Sequence, residues 1–365
     1  MNNFSSHYDD IIDLVDSYKV SHYAKTRNFL DGGVSYLSPY ISRGIISTRT
    51  VYNSLIKRGY ALENIEKFVQ ELAWRDYWQS QWDFHGDKID SDLNFSQKSM
   101  QRHGLPNSLI NVRSSIDVFN VSIEKLYKDG YMHNHMRMYV AMSICNIGAY
   151  HWHEAAKWMY YHLLDGDWAS NALSWQWVAG CLNDKKYIAN QENINKYCRV
   201  NERGTYLDKS YDDLAQYNEV DEMLILADEK LIWKQIHCQN PESLVHDDTL
   251  IFNYYNLDPK WRSEQVANRI LLIEPKVFER YPISEKVMTF FLDLSKNIND
   301  LIIFVGDFSE LKNLCRGEIY YRQHPLNDYL GVEDQRESLS SVKGNYSSFY
   351  KFWKKCKRQL LEERN

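Results

Sequence analysis

The stretch DGDWASNALSWQW (165–177) decides the reading of this chain. Asp165, Gly166 and Asp167 form an acidic turn, and the residues after Asp167 read as a helix presenting Asn171, Trp175 and Trp177. Asp167, Asn171 and Trp175 stand four apart, so they share one face of a helical stretch. An acidic residue before a helix is an ordinary N-cap. Asp165, Asp167, Asn171, Trp175 and Trp177 within 13 residues are more than a cap requires.

Working outward, the neighbouring segments are also helical. HEAAKWMYYHLL (153–164) carries apolar residues at helical spacing and ends just before Asp165. VSIEKLYKDGYMHNHMRMYVAMSICNI (121–147) has the same spacing, broken near Gly130, and LENIEKFVQELAWRDYWQSQW (62–82) is a third such segment. Only Pro39 and Pro106 of the seven prolines lie in the first 200 residues, which suits a helical domain over 1–200. Residues 181–265 are polar and weakly periodic, read as loops and short helices, with 201–265 as a connector. The pattern then changes. RILLIEP (269–275), SEKVMTFFLDLSKNI (284–298), LIIFVGD (301–307) and GEIYY (317–321) alternate strand and helix, which predicts a small parallel sheet within an α/β domain over 266–365. SSFYKFWKKCKRQLLEE (347–363) is a basic amphipathic helix. The expected fold class is mainly α, an all-helical domain followed by a small α/β element with a short parallel sheet.

Composition sets the class. Of 365 residues 25% are charged and the mean hydropathy is −0.56, with no apolar run of the length a membrane helix needs. The N-terminus lacks the basic-then-apolar layout of a signal peptide, so a soluble, cytoplasmic protein is expected. The net charge of −6 argues at first against a polyanionic partner. It is unevenly placed: residues 1–200 carry 21 acidic and 21 basic side chains, residues 201–365 carry 28 and 22. The six cysteines are scattered and form no C-x-x-C half-site, which fits free thiols in a reducing compartment.

Two further constellations repeat an i, i+3, i+4 spacing. Glu71, Trp74 and Arg75 share one helix face, with Trp78 and Trp82 extending the stripe. They read either as a structural ion pair beside core Trp or as a pocket wall: an indole to stack on, an Arg for phosphate or flavin, a Glu for hydrogen bonding. Asn134, Arg137 and Met138 lie in GYMHNHMRM, where His133 and His135 flank Asn134; His151 and His153 repeat the H-x-H pattern. Positions i and i+2 diverge by about 200° around a helix, so such pairs chelate poorly and no metal site is expected.

At this point the sequence resembles the FAD-binding domain of the photolyase/cryptochrome family. Four stretches match in order and near the family's separations: GGVSYLSPYISRGIIS (32–47), ELAWRDYW (71–78), GYMHNHMRM (130–138) and DGDWASNALSWQW (165–177). The resemblance covers about residues 8–200 and implies FAD as cofactor. It implies that Val34, Ser35, Tyr36, Leu37 and Ser38 form the loop holding the FAD diphosphate, assisted by Tyr23; Val34 replaces the usual Thr. A plain helix N-cap at Ser38, before Pro39, is compatible with that role. Asn134 and Arg137 resemble residues beside the flavin ring. Asp165 resembles the carboxylate paired with that Arg, and Asp167, across Gly166, one that hydrogen-bonds the flavin. Asn171 resembles the residue facing the flavin's central nitrogen, where a neutral amide tolerates negative charge. Arg75 is a further candidate flavin or phosphate contact.

The resemblance also separates substrate classes. Glu71, Trp74, Asn134, Met138 and Trp177 match enzymes acting on cyclobutane pyrimidine dimers, whereas the (6-4) photoproduct enzymes carry His at the places of Asn134 and Met138. His135 replaces a common DNA-contacting Arg. Trp152 and Trp175 align with the inner two members of the family's tryptophan electron chain; its outer member has no counterpart in 97–120. The implied function is light-driven repair of dimers in DNA, a deoxyribodipyrimidine photolyase reaction by electron transfer from excited reduced FAD to a flipped-out dimer. The alternative is a cryptochrome-type blue-light receptor without repair. Only about 20 residues precede Tyr23, so no N-terminal antenna domain is expected. The α/β element at 266–321 reads as too short for the usual five-stranded antenna fold and has no Gly-rich nucleotide loop, so no second chromophore is expected. Some bacterial relatives use Cys ligands for an iron–sulfur cluster; here only Cys181 and Cys198 lie in the relevant region, so no cluster is expected. A monomer is expected.

Overall fold

The computed structural model describes residues 4–98, 100–216 and 220–363. These form two compact units, one of 19–34 and 85–231, the other of 4–18, 35–84 and 232–363. The fold is mainly α with one short parallel sheet. The division differs from the expected one. Residues 35–84 belong with the α/β part, and no boundary falls at residue 200.

The regular secondary structure described in the first unit is helical, joined by loops and isolated bridges. Its centre is the helix Trp168–Ala179, which packs on Trp152–His162 and Asn134–Met142. Ala155, Ala156, Ala169 and Ala172 are all buried, and their small side chains let these backbones approach closely. The break expected near Gly130 is a helix end. Asp117–Asp129 stops there because Gly130 takes φ +68°, and a Cβ at that position would meet the Leu164 side chain at 2.6 Å. Buried indoles are tied down through their N–H groups: Trp152 Nε1 donates to Asp92 (2.7 Å), Trp168 Nε1 to Asp90 (2.7 Å) and Trp158 Nε1 to the Tyr127 hydroxyl (3.1 Å).

The second unit joins the helices Tyr8–Ser17, Ser38–Ser42, Thr48–Lys57 and Leu62–His85 to a five-stranded sheet. The strands are β1 Thr249–Phe252, β2 Asn268–Ile273, β3 Leu301–Val305, β4 Ile319–Arg322 and β5 Val332–Asp334, all parallel in the order β3-β2-β1-β4-β5. This corrects the expectation of a sheet too short for five strands. The central strand β1 lies inside the stretch read as a connector, where four apolar-leaning residues among polar loops are too few to show periodicity. The edge strand β5 is polar, as an edge can be. Strand order reverses at β1, the arrangement of doubly wound sheets. No glycine follows β1 before β2, so the absence of a Gly-rich loop holds.

Aromatic contacts explain why 35–84 sides with the sheet. Trp82, 1% exposed, meets the rings of Tyr255, Tyr281 and His324 edge-on at 5.0–6.1 Å. The guanidinium of buried Arg43 lies 3.4 Å over the Tyr254 ring. Asp76, on the Leu62–His85 helix, adds a polar tie: Thr48 Oγ1 (2.9 and 3.1 Å) and the Leu339 N–H (2.7 Å) both donate to it.

Burial pushes the Asp76 carboxyl up to about 6, against the hydrogen bonds and the nearby Arg336 and Arg75. The folded protein therefore holds a proton that the unfolded chain releases near pH 4. Stability from this group falls as pH rises from about 4 to 6, by up to about 3 kcal/mol. Asp76→Asn is expected to remove that slope. The stability difference between variant and wild type, followed by chemical unfolding from pH 4 to 7, should shift in the variant's favour; a difference independent of pH would refute the assignment.

Candidate functional site

The sequence candidates fall in both units. Tyr23, Val34, Asn134, His135, Arg137, Met138, Trp152, Asp165, Gly166, Asp167, Asn171, Trp175 and Trp177 are in the first, and Ser35, Tyr36, Leu37, Ser38, Glu71, Trp74 and Arg75 in the second.

In the first unit, Asn134 opens the helix Asn134–Met142 and is exposed, with Arg137 and Met138 half-buried one turn on. Arg137 Nε donates to the Met132 carbonyl (2.8 Å), and its NH2 group donates to both oxygens of Asp165 (2.9 and 3.0 Å). Asp165 is buried on the turn between Trp152–His162 and Trp168–Ala179, so one ion pair fastens three helices. Gly166 sits in the same turn, where a Cβ would stand 3.0 and 3.1 Å from the Leu163 and Tyr160 carbonyl oxygens. Asp167 is the N-cap of Trp168–Ala179 and accepts from the Ser170 N–H (2.8 Å). The cap reading of the acidic turn is therefore correct for Asp167.

Asn171 lies one turn into that helix, half-buried. Its Nδ2 donates to the Ala156 carbonyl (2.8 Å), which fixes the amide's orientation and leaves Oδ1 without a hydrogen bond among the described residues. Trp175 and Trp152 are buried, while Trp177 is half-buried with Tyr187 tilted against it at 5.7 Å.

The repeated H-x-H pattern has one structural explanation. His133 is the N-cap of Asn134–Met142 and accepts at Nδ1 from the His135 N–H (3.2 Å); His151 caps Trp152–His162 and accepts from the His153 N–H (3.4 Å). Burial, with help from neighbouring His135, Arg137 and Lys125, pushes His133 down to about 4, so it is neutral at pH 7. Burial also lowers His135, whose Nδ1 bonds the Asn28 carbonyl (2.8 Å) and whose ring stacks on Tyr139. No group of three His, Cys, Asp or Glu that could hold a metal occurs among the described residues.

Sequence reasoning missed Asp92. It receives the Trp152 indole N–H and the Gln97 N–H (2.7 Å each), and His151 Nε2 stands 3.4 Å away. Burial raises Asp92, but these donors, with Cys181, outweigh it and hold the carboxyl below its ordinary range. Asp92 lines an open groove of about 440 Å³ together with Asp90, His103, His151, His153 and Glu154.

In the second unit, the candidate loop has Tyr36 at φ +55° and Leu37 buried, and its helix Ser38–Ser42 takes Leu37 rather than Ser38 as the N-cap, with Pro39 in the first turn. The expected cap thus moves by one residue. Glu71, Trp74 and Arg75 are all half-buried on the Leu62–His85 helix, and Arg75 donates to Ser42 Oγ (2.7 Å). The indole of Trp74 is not open on both faces. Phe349, 4% exposed and first residue of the C-terminal helix Phe349–Glu362, stacks on it at 3.8 Å and 9°, and Trp78 lies tilted at 5.0 Å. Nothing in local spacing links residues 74 and 349, so only the folded chain shows this pair.

These local arrangements suit a flavin dinucleotide. In the first unit, Asn171 Oδ1 is an oriented neutral acceptor and Arg137 a clamped guanidinium, the kinds of group a flavin ring would need. The dinucleotide's diphosphate needs hydroxyls and backbone N–H groups, which Ser35 and Ser38 carry. Residues 68–235 match the family model described as the FAD binding domain of DNA photolyase. Over these residues the chain is similar to the photolyase/cryptochrome family. It is 26% identical over 194 residues to a deoxyribodipyrimidine photo-lyase of Alkalihalophilus pseudofirmus, covering 52% of this chain and 40% of the relative. It is 29% identical over 173 residues to one of Thermus thermophilus (44% and 39%), and 27% over 214 residues to a cryptochrome DASH of Ostreococcus tauri (56% and 38%). The chain thus spans about two-fifths of the length of these curated relatives. A solved bacterial class III photolyase from Agrobacterium tumefaciens is similar over 57% of this chain and 53% of its own, at 22% identity and a TM-score of 0.43. The photolyase-type domain of this chain is an FAD-binding domain. Among the described residues, no helix is long and apolar enough to cross a membrane.

Proposed function

We propose that this chain is a deoxyribodipyrimidine photolyase that repairs cyclobutane pyrimidine dimers in DNA under blue light. The observation that carries the reading is the oriented amide of Asn171, a neutral acceptor that does not oppose negative charge beside it. Tyr23, the loop 34–38, Arg75, Asn134, Arg137, Asp165, Gly166, Asp167 and Asn171 would hold FAD. Bound FAD supplies a light-absorbing one-electron donor. The chain's own residues do the rest. Trp74 and Trp177 offer indole surface to a dimer turned out of the helix, a step that costs least where pairing is already disrupted. Glu71 hydrogen-bonds the dimer's polar edge, and Asn134, His135 and Met138 line its place. Repair of cyclobutane dimers, rather than chemistry that needs an imidazolium, is supported by the neutral amide and thioether at 134 and 138 and by the depressed His133 next to them. Trp152 and Trp175, buried indoles, can relay electrons by short hops, with Asp92 holding the Trp152 N–H.

The test is illumination of a thymine-dimer oligonucleotide with the reduced, FAD-loaded protein. Loss of the dimer is expected; its persistence with FAD bound and reduced would overturn the reading. Glu71→Ala is expected to lower repair per absorbed photon several-fold with the flavin spectrum retained, and an unchanged yield would remove Glu71 from its role. A second reading, a cryptochrome-type receptor without repair, is favoured by Phe349 lying over one face of Trp74.

A further inference from the structure

We propose that the basic stripe on the C-terminal helix Phe349–Glu362 is a contact surface for the phosphate backbone of nucleic acid. Lys351, Lys354, Lys355 and Arg358 are all exposed and stand at i, i+3, i+4 and i+7, so they form one face of the helix. The opposite face, Phe349, Phe352, Trp353, Cys356 and Leu360, is buried in the second unit. The helix is therefore held rigidly, and its charges face outward as a fixed array. Among the described residues no acidic side chain pairs with Lys351, Lys354 or Lys355: Lys351 meets the Ser347 hydroxyl (2.9 Å), and Lys355 lies 5.1 Å from the Tyr346 ring. Among the described residues Arg358 pairs with Glu362 of its own helix, at 3.5 Å. Lys357, off the stripe, is the one neutralised from outside the helix, by Glu66 at 2.8 Å.

The sign of this patch runs against its surroundings. Residues 347–363 carry five basic and two acidic side chains, within a stretch, 201–365, whose net charge is −6. A local concentration of cations on an acidic half, three of them without an acidic partner among the described residues, is a surface suited to a polyanion. An anionic membrane fits less well, because the apolar face that would enter lipid is already buried. Tyr350, 72% exposed beside Lys351, adds a ring available for stacking on bases. Lys351 is also two residues from the ring that covers Trp74, which places the stripe beside a residue proposed to meet the dimer. The inference rests on the reading that this chain acts on DNA, but concerns a different surface.

The experiment compares full-length FAD-loaded wild type with K351Q/K354Q/K355Q by fluorescence anisotropy. The ligands are undamaged and dimer-containing oligonucleotides, from 50 to 300 mM salt. The variant is expected to bind both about 10- to 100-fold more weakly at low salt, with a salt slope shallower by about three. The Lys→Arg triple variant should retain wild-type affinity. Equal binding by wild type and the Gln variant on both oligonucleotides would overturn the proposal. So would wild-type binding to anionic vesicles or to polyglutamate in preference to either oligonucleotide. Weakened binding of the variant on both oligonucleotides, with no preference of wild type for the dimer, supports the stripe while counting against dimer repair.

Discussion

Asp165→Ala is expected to lower the unfolding free energy by about 3–5 kcal/mol, the cost of stripping one partner from a buried ion pair. Asp165 is 5% exposed on its side chain and accepts two hydrogen bonds from Arg137 NH2 at 2.9 and 3.0 Å. Arg137 is in turn fixed by the Met132 carbonyl, so it cannot swing into water without breaking a second bond. Removing the carboxylate leaves a guanidinium facing a void at the junction of three helices. The double variant Arg137→Met, Asp165→Ala should recover part of the loss, because it removes the stranded charge. Urea unfolding of the three variants measures this, and the FAD retained per chain after purification should fall with the single variant. A loss under about 1 kcal/mol would mean the pair is open to solvent and does not clamp the helices.

Phe349→Ala is expected to cost a similar 3–5 kcal/mol, the range for deleting a buried Phe side chain. Its ring lies 3.8 Å from Trp74 at 9° and meets Tyr77 edge-on at 5.9 Å, so it loses packing and an aromatic pair together. Phe349→Leu keeps most of the volume and should cost only about 1–2 kcal/mol, isolating the ring's own contribution. Thermal unfolding and near-ultraviolet circular dichroism read both effects. Equal stability of the alanine variant and wild type would show that the C-terminal helix is not anchored through this residue. The same contact bears on the proposed function, in which a dimer would be limited to the remaining surface of Trp74.

Much of the helical architecture was legible in local pattern. The 3.6-residue spacing in 62–82, 121–147 and 153–164 and the turn at 165–167 sufficed, because amphipathic helices carry their period in consecutive residues. The strands β2, β3 and β4 were legible as apolar runs between turn signals. The central strand β1 was not, since four residues flanked by polar loops carry no period. The spacing of the H-x-H pairs showed a repeated local pattern, yet their role as helix caps needed the backbone positions of His135 and His153 to appear.

Local spacing grouped Glu71 with Trp74 and Arg75, Asn134 with Arg137 and Met138, and Asp167 with Asn171 and Trp175, while the family resemblance supplied Tyr23, residues 34–38 and the pairing of Asp165 with Arg137. Spacing is a property of the chain's local order, and the capping Asp167 follows it, whereas the Arg137–Asp165 pair joins residues 28 positions apart. Tertiary structure alone decided what lies between distant segments. It joined residues 35–84 to the sheet, placed Phe349 on Trp74, tied Asp76 to Leu339 and set Asp92 under Trp152. The physical reason is that burial and desolvation depend on which surfaces meet, and residues 275 positions apart leave no mark of their meeting in either one's neighbours.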